Sequence, residues 1–209
     1  KTIKSSKFDK HDENTKQKIG SLQSEKPLEV LFEGVDLNIY KKTNEFSKEL
    51  VEQMETIEED FCFLHVGHWL QGKLGEDRKD LGMLVKVFCE TFKNQKNPPA
   101  LVLKTSGATP CILDREDMIQ KVENIRAHFK DAPNVYLLHG ELTDSEVNLL
   151  YNHPKVKSMV SFTHGEGYGR PLAEFSTSGK PIISTWWSGH KDFLKHSVRL
   201  VGQVGQIHE

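Results

Sequence analysis

The residues that could do chemistry are densest in one run, Ser161-Phe162-Thr163-His164-Gly165-Glu166-Gly167-Tyr168-Gly169-Arg170-Pro171-Leu172-Ala173-Glu174-Phe175. Gly165, Gly167 and Gly169 alternate directly after an apolar stretch, and Pro171 stands where a first helical turn should begin. Proline suits that position because its missing N–H would be unpaired there anyway. A glycine-rich turn leading into a helix gathers free backbone N–H groups and the positive end of the helix dipole, a seat for phosphate or sugar hydroxyls. Glu166 stands just before the turn. Glu174 lies two turns on, between Ala173 and Phe175, where a buried carboxylate without a partner would be strongly disfavoured. Two adjacent hydroxyls of a ribose would serve as that partner, since a carboxylate accepts two hydrogen bonds side by side. Taken alone, a G-x-G-x-G turn is a weak signal and a helical Glu usually faces solvent.

For these groups to meet, the rest of the chain must bring strand ends together. Residues 1–27 are polar and Lys-rich, a lead-in or linker by composition. Apolar runs predict strands over 28–32, 61–66, 100–103, 135–138, 156–162, 181–185 and 198–201. Between them lie helical patterns over 43–58, 81–92, 143–151 and 169–178, and one opened by Asp114 and running to Phe129. Thr143-Asp144-Ser145-Glu146 has the form of a capping box. Short apolar runs alternating with helices predict an α/β, Rossmann-like domain over 28–209, a parallel sheet with helices on both faces. In such a sheet ligands sit at the carboxyl ends of the strands, so the loops after 61–66, 100–103, 135–138, 156–162 and 181–185 share one rim.

Composition narrows the partners. The 209 residues carry 28 Lys plus Arg against 30 Asp plus Glu, a balance that gives no footprint for nucleic acid. Cys62, Cys89 and Cys111 fit neither a disulfide framework nor a zinc spacing, which suggests a reducing, cytoplasmic setting. No apolar stretch has the length of a signal peptide or of a membrane span of about 18 residues.

With these residues in view, the sequence resembles the C-terminal domain of the group-1 retaining glycosyltransferases of two-domain GT-B architecture. The family pattern is close to E-G-[FY]-G-x-[PV]-x-x-E followed by G-x-P-[VI]-[IV]. Glu166, Gly167, Tyr168, Gly169, Pro171, Glu174, Gly179, Pro181, Ile182 and Ile183 all fall in place. Glu33-Gly34-Val35-Asp36 through Tyr40 is similar to the start of that domain, and Phe63-Leu64-His65-Val66-Gly67 to its first strand. Asn134 through Gly140, then Leu142, Ser145, Glu146 and Leu150, resemble the strand and helix near the nucleotide base. Ser188-Gly189-His190-Lys191-Asp192 resembles the family's G-G-x-x-E with Asp for Glu.

The resemblance implies transfer of a sugar from a nucleotide diphosphate sugar to a glycan, lipid or protein acceptor, with no metal or other cofactor. It implies that Glu166 faces the donor sugar, that the backbone of Gly167, Tyr168 and Gly169 cradles sugar and β-phosphate, and that Glu174 holds the ribose. The leaving diphosphate must meet cations, in the family an Arg after the strand glycine and a Lys further on. Here His68 occupies the Arg position. Lys79 is the candidate phosphate lysine, with Arg78 or Lys73 as a second charge, while Lys104, Thr105 and Ser106 replace a G-x-G on the same rim. His139 and His164 are read as structural. One of Trp186 and Trp187 is expected in the core and the other at the cleft. The acceptor domain that GT-B enzymes place before this one is not among these residues, so the chain is read as a fragment, weak in donor binding and inefficient in transfer. Two rivals are a GT-B-like nucleotide-sugar epimerase and a non-catalytic nucleotide-sugar-binding module, the latter favoured by His68.

Overall fold

Asp12 makes the first turn of the chain: its carboxylate accepts the N–H groups of Asn14 and Thr15 at 3.0 and 2.8 Å, as short acidic side chains do in tight turns. The turn joins β1 (Phe8–His11) to β2 (Lys18–Leu22) as an antiparallel hairpin. The computed structural model to which these elements belong describes residues 7–23, 26, 27, 29, 31–70, 74–107, 109 and 111–202. The chain divides into compact units between Gly34 and Val35, and the hairpin lies in the first. Every residue of both strands is exposed, which is why no alternation announced them in a stretch read as a polar lead-in. The strand expected over 28–32 is not formed by its described residues. Glu29, Leu31 and Phe32 are irregular and exposed, and Leu28 and Val30 lie outside the described residues.

The second unit carries α1 (Lys48–Glu55), β3 (Cys62–Val66), α2 (Leu81–Phe92), β4 (Ala100–Lys104), α3 (Ile112–Arg126) and β5 (Val135–Leu138), then α4 (Asp144–Asn152), β6 (Val156–Ser161), α5 (Arg170–Ser176), β7 (Ile182–Thr185) and β8 (Val198–Leu200). Its six strands form one sheet in the order β5-β4-β3-β6-β7-β8, every pair parallel. Alternation along the strands supplies two cores. Cys62, Leu64, Ala100 and Val102 pack with Leu50, Met54, Leu150, Tyr151, Leu172 and Phe175 on one face. Leu101 and Leu103 pack with Leu81, Val85, Phe88, Met118 and Val122 on the other. Helices thus cover both faces, as parallel sheets require.

The helix starts follow local chemistry. Thr143 and Glu146 form the expected capping box on α4: the Thr143 hydroxyl accepts the Glu146 N–H at 3.3 Å, and the Glu146 carboxylate accepts the Thr143 N–H at 2.7 Å. Asp114 does not cap α3. The helix begins two residues earlier, and Asp114 instead clamps the preceding loop by accepting the Gly107 N–H with both oxygens at 2.8 and 3.0 Å. None of the described helices is long and apolar enough to cross a membrane.

The strand order sets the site. From β3 the chain proceeds outward to β4 and β5, and from β6 it proceeds the other way to β7 and β8. Connections leaving β3 and β6 therefore diverge, and a crevice opens between their carboxyl ends, the usual ligand position in doubly wound sheets.

Candidate functional site

The loops that leave β3 and β6 are stitched across this crevice. The His164 N–H donates to the Arg78 carbonyl at 2.8 Å, the Arg78 guanidinium donates to the Gly165 carbonyl at 2.9 Å, and His164 pairs with Asp80 at 3.1 Å. These contacts bring Lys79 onto Glu166: its ammonium donates to Oε1, while Arg78 reaches Oε2 at 3.1 Å. The side chains of Lys79 and Glu166 are 11% and 9% exposed, that of Arg78 60%. Burial alone would push the Glu166 carboxyl up, but the Lys79 hydrogen bond and charge outweigh it and hold the group below its ordinary value. Glu166 is therefore an anion at neutral pH with both oxygens met by cations. Beneath Lys79, the buried His65 is pushed down to about 4 by burial. Its Nδ1 bonds the Val160 carbonyl at 2.9 Å and its Nε2 lacks a partner among the described residues.

The turn that carries Glu166 is pinned from behind. Its carbonyl accepts both the Gly189 N–H at 3.0 Å and the Ser188 hydroxyl at 2.7 Å. A Cβ on Gly189 would lie 1.9 Å from the Gly167 carbonyl oxygen, so the turn approaches as closely as it does only because residue 189 has no side chain. Gly169 caps α5 with φ of +94°, a conformation that other residues adopt at a cost.

Glu174 sits on the inner side of α5, 5% exposed. Its need for a partner is met within the chain: Arg170 Nε donates to Oε1 at 2.8 Å and the Tyr151 hydroxyl donates to Oε2 at 3.3 Å. Burial raises the Glu174 carboxyl above its ordinary value, opposed by the Arg170 charge. The two glutamates are thus driven in opposite directions. A carboxyl with a raised folded value binds protons at a pH where the unfolded chain does not, so acidification from neutrality towards the ordinary value of 4.5 favours the fold. Wild-type chain should gain stability over that interval relative to Glu174→Gln in urea unfolding. Superimposable pH profiles would show that Glu174 is solvated.

The other rim residues are placed as follows. His68 is exposed and its Nδ1 bonds the Ser106 hydroxyl at 3.3 Å. Lys104 donates to the Gly140 carbonyl at 2.5 Å, and burial lowers its ammonium below the ordinary value. Thr105 is buried, and its hydroxyl has no partner among the described residues. Leu142 packs against the core beside α4, and the Tyr168 ring lies 5.0 Å from that of Phe193. Lys73 lies outside the described residues. His139 pairs with Asp114 at 2.7 Å. Trp186 packs on the core, whereas Trp187 is exposed and its Nε1 would lie 3.6 Å from a Cβ on Gly165. Sequence reasoning missed Arg170 and Tyr151. Arg170 stands four residues from each glutamate, a spacing that signals contact on a helix, while Tyr151 reads as an ordinary core position. Two grooves lie elsewhere. One of about 200 Å³ runs between α3 and β5. The other, of about 790 Å³, is bounded by Phe61, Phe63, Phe92, Pro98 and Pro99 at the amino ends of the strands.

No family model and no curated protein matches the sequence. Solved structures do match. The C-terminal domain of a glycosyl transferase group 1 family protein (LpcC) from Francisella tularensis aligns with a TM-score of 0.56 and 13% identity, covering 80% of each chain. An α,α-trehalose 6-phosphate synthase from Burkholderia multivorans aligns at 0.58 and 13% identity, over 73% of this chain and 34% of that one. The E. coli trehalose-6-phosphate structure bound with UDP-2-fluoro glucose aligns at 0.59 and 9% identity, over 80% of this chain and 39% of that one. The chain thus spans little more than a third of the length of the last two. Likeness at such low identity is a statement about fold, and that fold is the Rossmann-like α/β fold seen in the C-terminal domains of GT-B glycosyltransferases.

Proposed function

We propose that this chain is the donor-binding half of a retaining glycosyltransferase that moves a sugar from a nucleotide diphosphate sugar to a glycan, lipid or protein acceptor. The acceptor would be held by an N-terminal domain of the same protein. One observation carries the reading: Glu166 stands before the Gly167–Gly169 turn at the sheet's crevice and Glu174 on the helix that follows it, one held ionised under cations and the other buried beside an arginine. In this reading Glu166 accepts a hydrogen bond from a donor-sugar hydroxyl. The backbone of Gly167, Tyr168 and Gly169 borders the sugar and β-phosphate, and Glu174 accepts the ribose hydroxyls on its remaining lone pairs. As the bond from the sugar's anomeric carbon to the phosphate oxygen breaks, that oxygen keeps the electron pair, an acceptor hydroxyl oxygen bonds the anomeric carbon, and its proton passes to the departing diphosphate. Lys79 and Arg78, which neutralise Glu166 in the donor-free chain, then neutralise the departing diphosphate. The charges that meet the diphosphate are side chains, so the reading requires no metal cofactor. The likeness to a structure holding UDP-2-fluoro glucose supports a nucleotide sugar as donor. Three free thiols fit work in the reducing cytoplasm.

The test is calorimetric titration of wild type and Glu174→Ala with uridine, guanosine, adenosine and thymidine diphosphates and their glucose conjugates. One base should bind, and Glu174→Ala should weaken it at least about tenfold, or about 1.4 kcal/mol. Failure of every member to bind the wild-type chain would sink the proposal.

A further inference from the structure

Arg170 is the only charged residue between Glu166 and Glu174. Its backbone begins beside the Glu166 side chain, since a Cβ on the preceding Gly169 would stand 3.5 Å from Glu166 Cγ. Its own side chain ends on the other glutamate, with Nε donating to Glu174 Oε1 at 2.8 Å. Only that nitrogen is engaged. Among the described residues the two Nη groups take no partner, and the side chain is 70% exposed. The Nε contact gives the buried Glu174 its partner through one nitrogen, and the two Nη groups are left over from it. A guanidinium is always charged and presents its donors as a planar fork that matches phosphate oxygens.

This inference rests on the donor-site reading above. If the sugar sits at Glu166 and the ribose at Glu174, the diphosphate joining them must cross the segment between, and Arg170 is the cation of that segment. His68, where the resemblance requires an arginine, instead bonds Ser106. We propose that Arg170 supplies the missing phosphate cation. It grips the diphosphate through its Nη groups while Nε stays on Glu174, so one side chain ties the phosphate position to the ribose position.

The experiment titrates the 209-residue chain, wild type, Arg170→Gln and Arg170→Lys, with uridine, guanosine, adenosine and thymidine, each as the nucleoside and as the 5′-diphosphate. For the base that binds, Arg170→Gln should lower the diphosphate-to-nucleoside affinity ratio about tenfold or more, the size of a lost charge-assisted hydrogen bond. Nucleoside affinity should fall by less than diphosphate affinity, since Glu174 loses only its Nε partner, and Arg170→Lys should recover part of the ratio because it keeps the charge without the fork. An unchanged ratio in Arg170→Gln, whether both affinities hold or both fall together, would overturn the assignment while leaving the donor site standing. If the wild-type chain binds no nucleoside diphosphate, the donor-site reading falls and this assignment falls with it.

Discussion

Lys79→Ala should destabilise the chain by about 3 kcal/mol and remove most of its affinity for a nucleoside diphosphate. The stability loss follows from what is left behind: a carboxylate, Glu166, only 9% exposed and deprived of the partner that holds it ionised. Breaking a buried pair on one side costs about 3–5 kcal/mol. The lower figure applies because Arg78 stays within 3.1 Å, although mostly in water. Removing both charges should behave differently. Lys79→Met combined with Glu166→Gln leaves no uncompensated ion, so it should recover most of the stability and none of the binding. Urea unfolding and calorimetry on the two variants separate these effects. A Lys79→Ala chain as stable as wild type would mean that the pair is solvated and that Lys79 contributes charge alone.

The second large effect is expected where no side chain exists. In Gly189→Ala the new methyl would lie 1.9 Å from the Gly167 oxygen, 2.7 Å from its carbonyl carbon and 2.9 Å from the Glu166 oxygen. All three neighbours are backbone, so nothing flexible can yield, and the turn bearing Glu166 must shift. Overpacking of this kind costs about 1–3 kcal/mol, and the upper end is expected here, with donor affinity lost because Glu166 is misplaced. Gly167→Ala is the control. A Cβ there meets nothing within 4 Å, so its unfolding midpoint should match that of wild type. Equal behaviour of the two variants would show that the turn is loose.

Much of the fold could be read in advance because its signals are local. The apolar run that became β5 matches the element at both ends, and so does the periodic stretch that became α2. The hairpin of β1 and β2 was illegible for a physical reason: exposed strands held by Asp12 and the Asp9–Lys18 pair bury no face. Asp114 misled because a helix-start aspartate has the same sequence signature whether it caps its own helix or clamps Gly107. At the rim, the placing of Lys79 just before a helix was readable, and the structure brings it onto Glu166. What His68 touches was not readable, since its contact with Ser106 depends on how two loops from neighbouring strands run side by side. Nor was the partner of Glu174. The sequence leaves open whether a buried carboxylate waits for a ligand or is already held, and here Tyr151 arrives from a different helix.

The order of the strands also bears on how the chain reaches its native state. Cys62 finds its partner Ala100 across a single helix, but meets Val156 only after three helices and two strands have intervened. The entropy of closing a loop grows with its length, and such distant parallel pairings are slow to form. The pairing of β3 with β6 therefore carries the largest closure entropy in the sheet, and it is the same pairing that opens the crevice. A chain with only β3, β4 and β5 assembled has half a sheet and neither the Glu166 turn nor its contact with Lys79. Any ligand that spans this crevice binds only molecules that have completed the longest closure, and by mass action it draws the remainder after them.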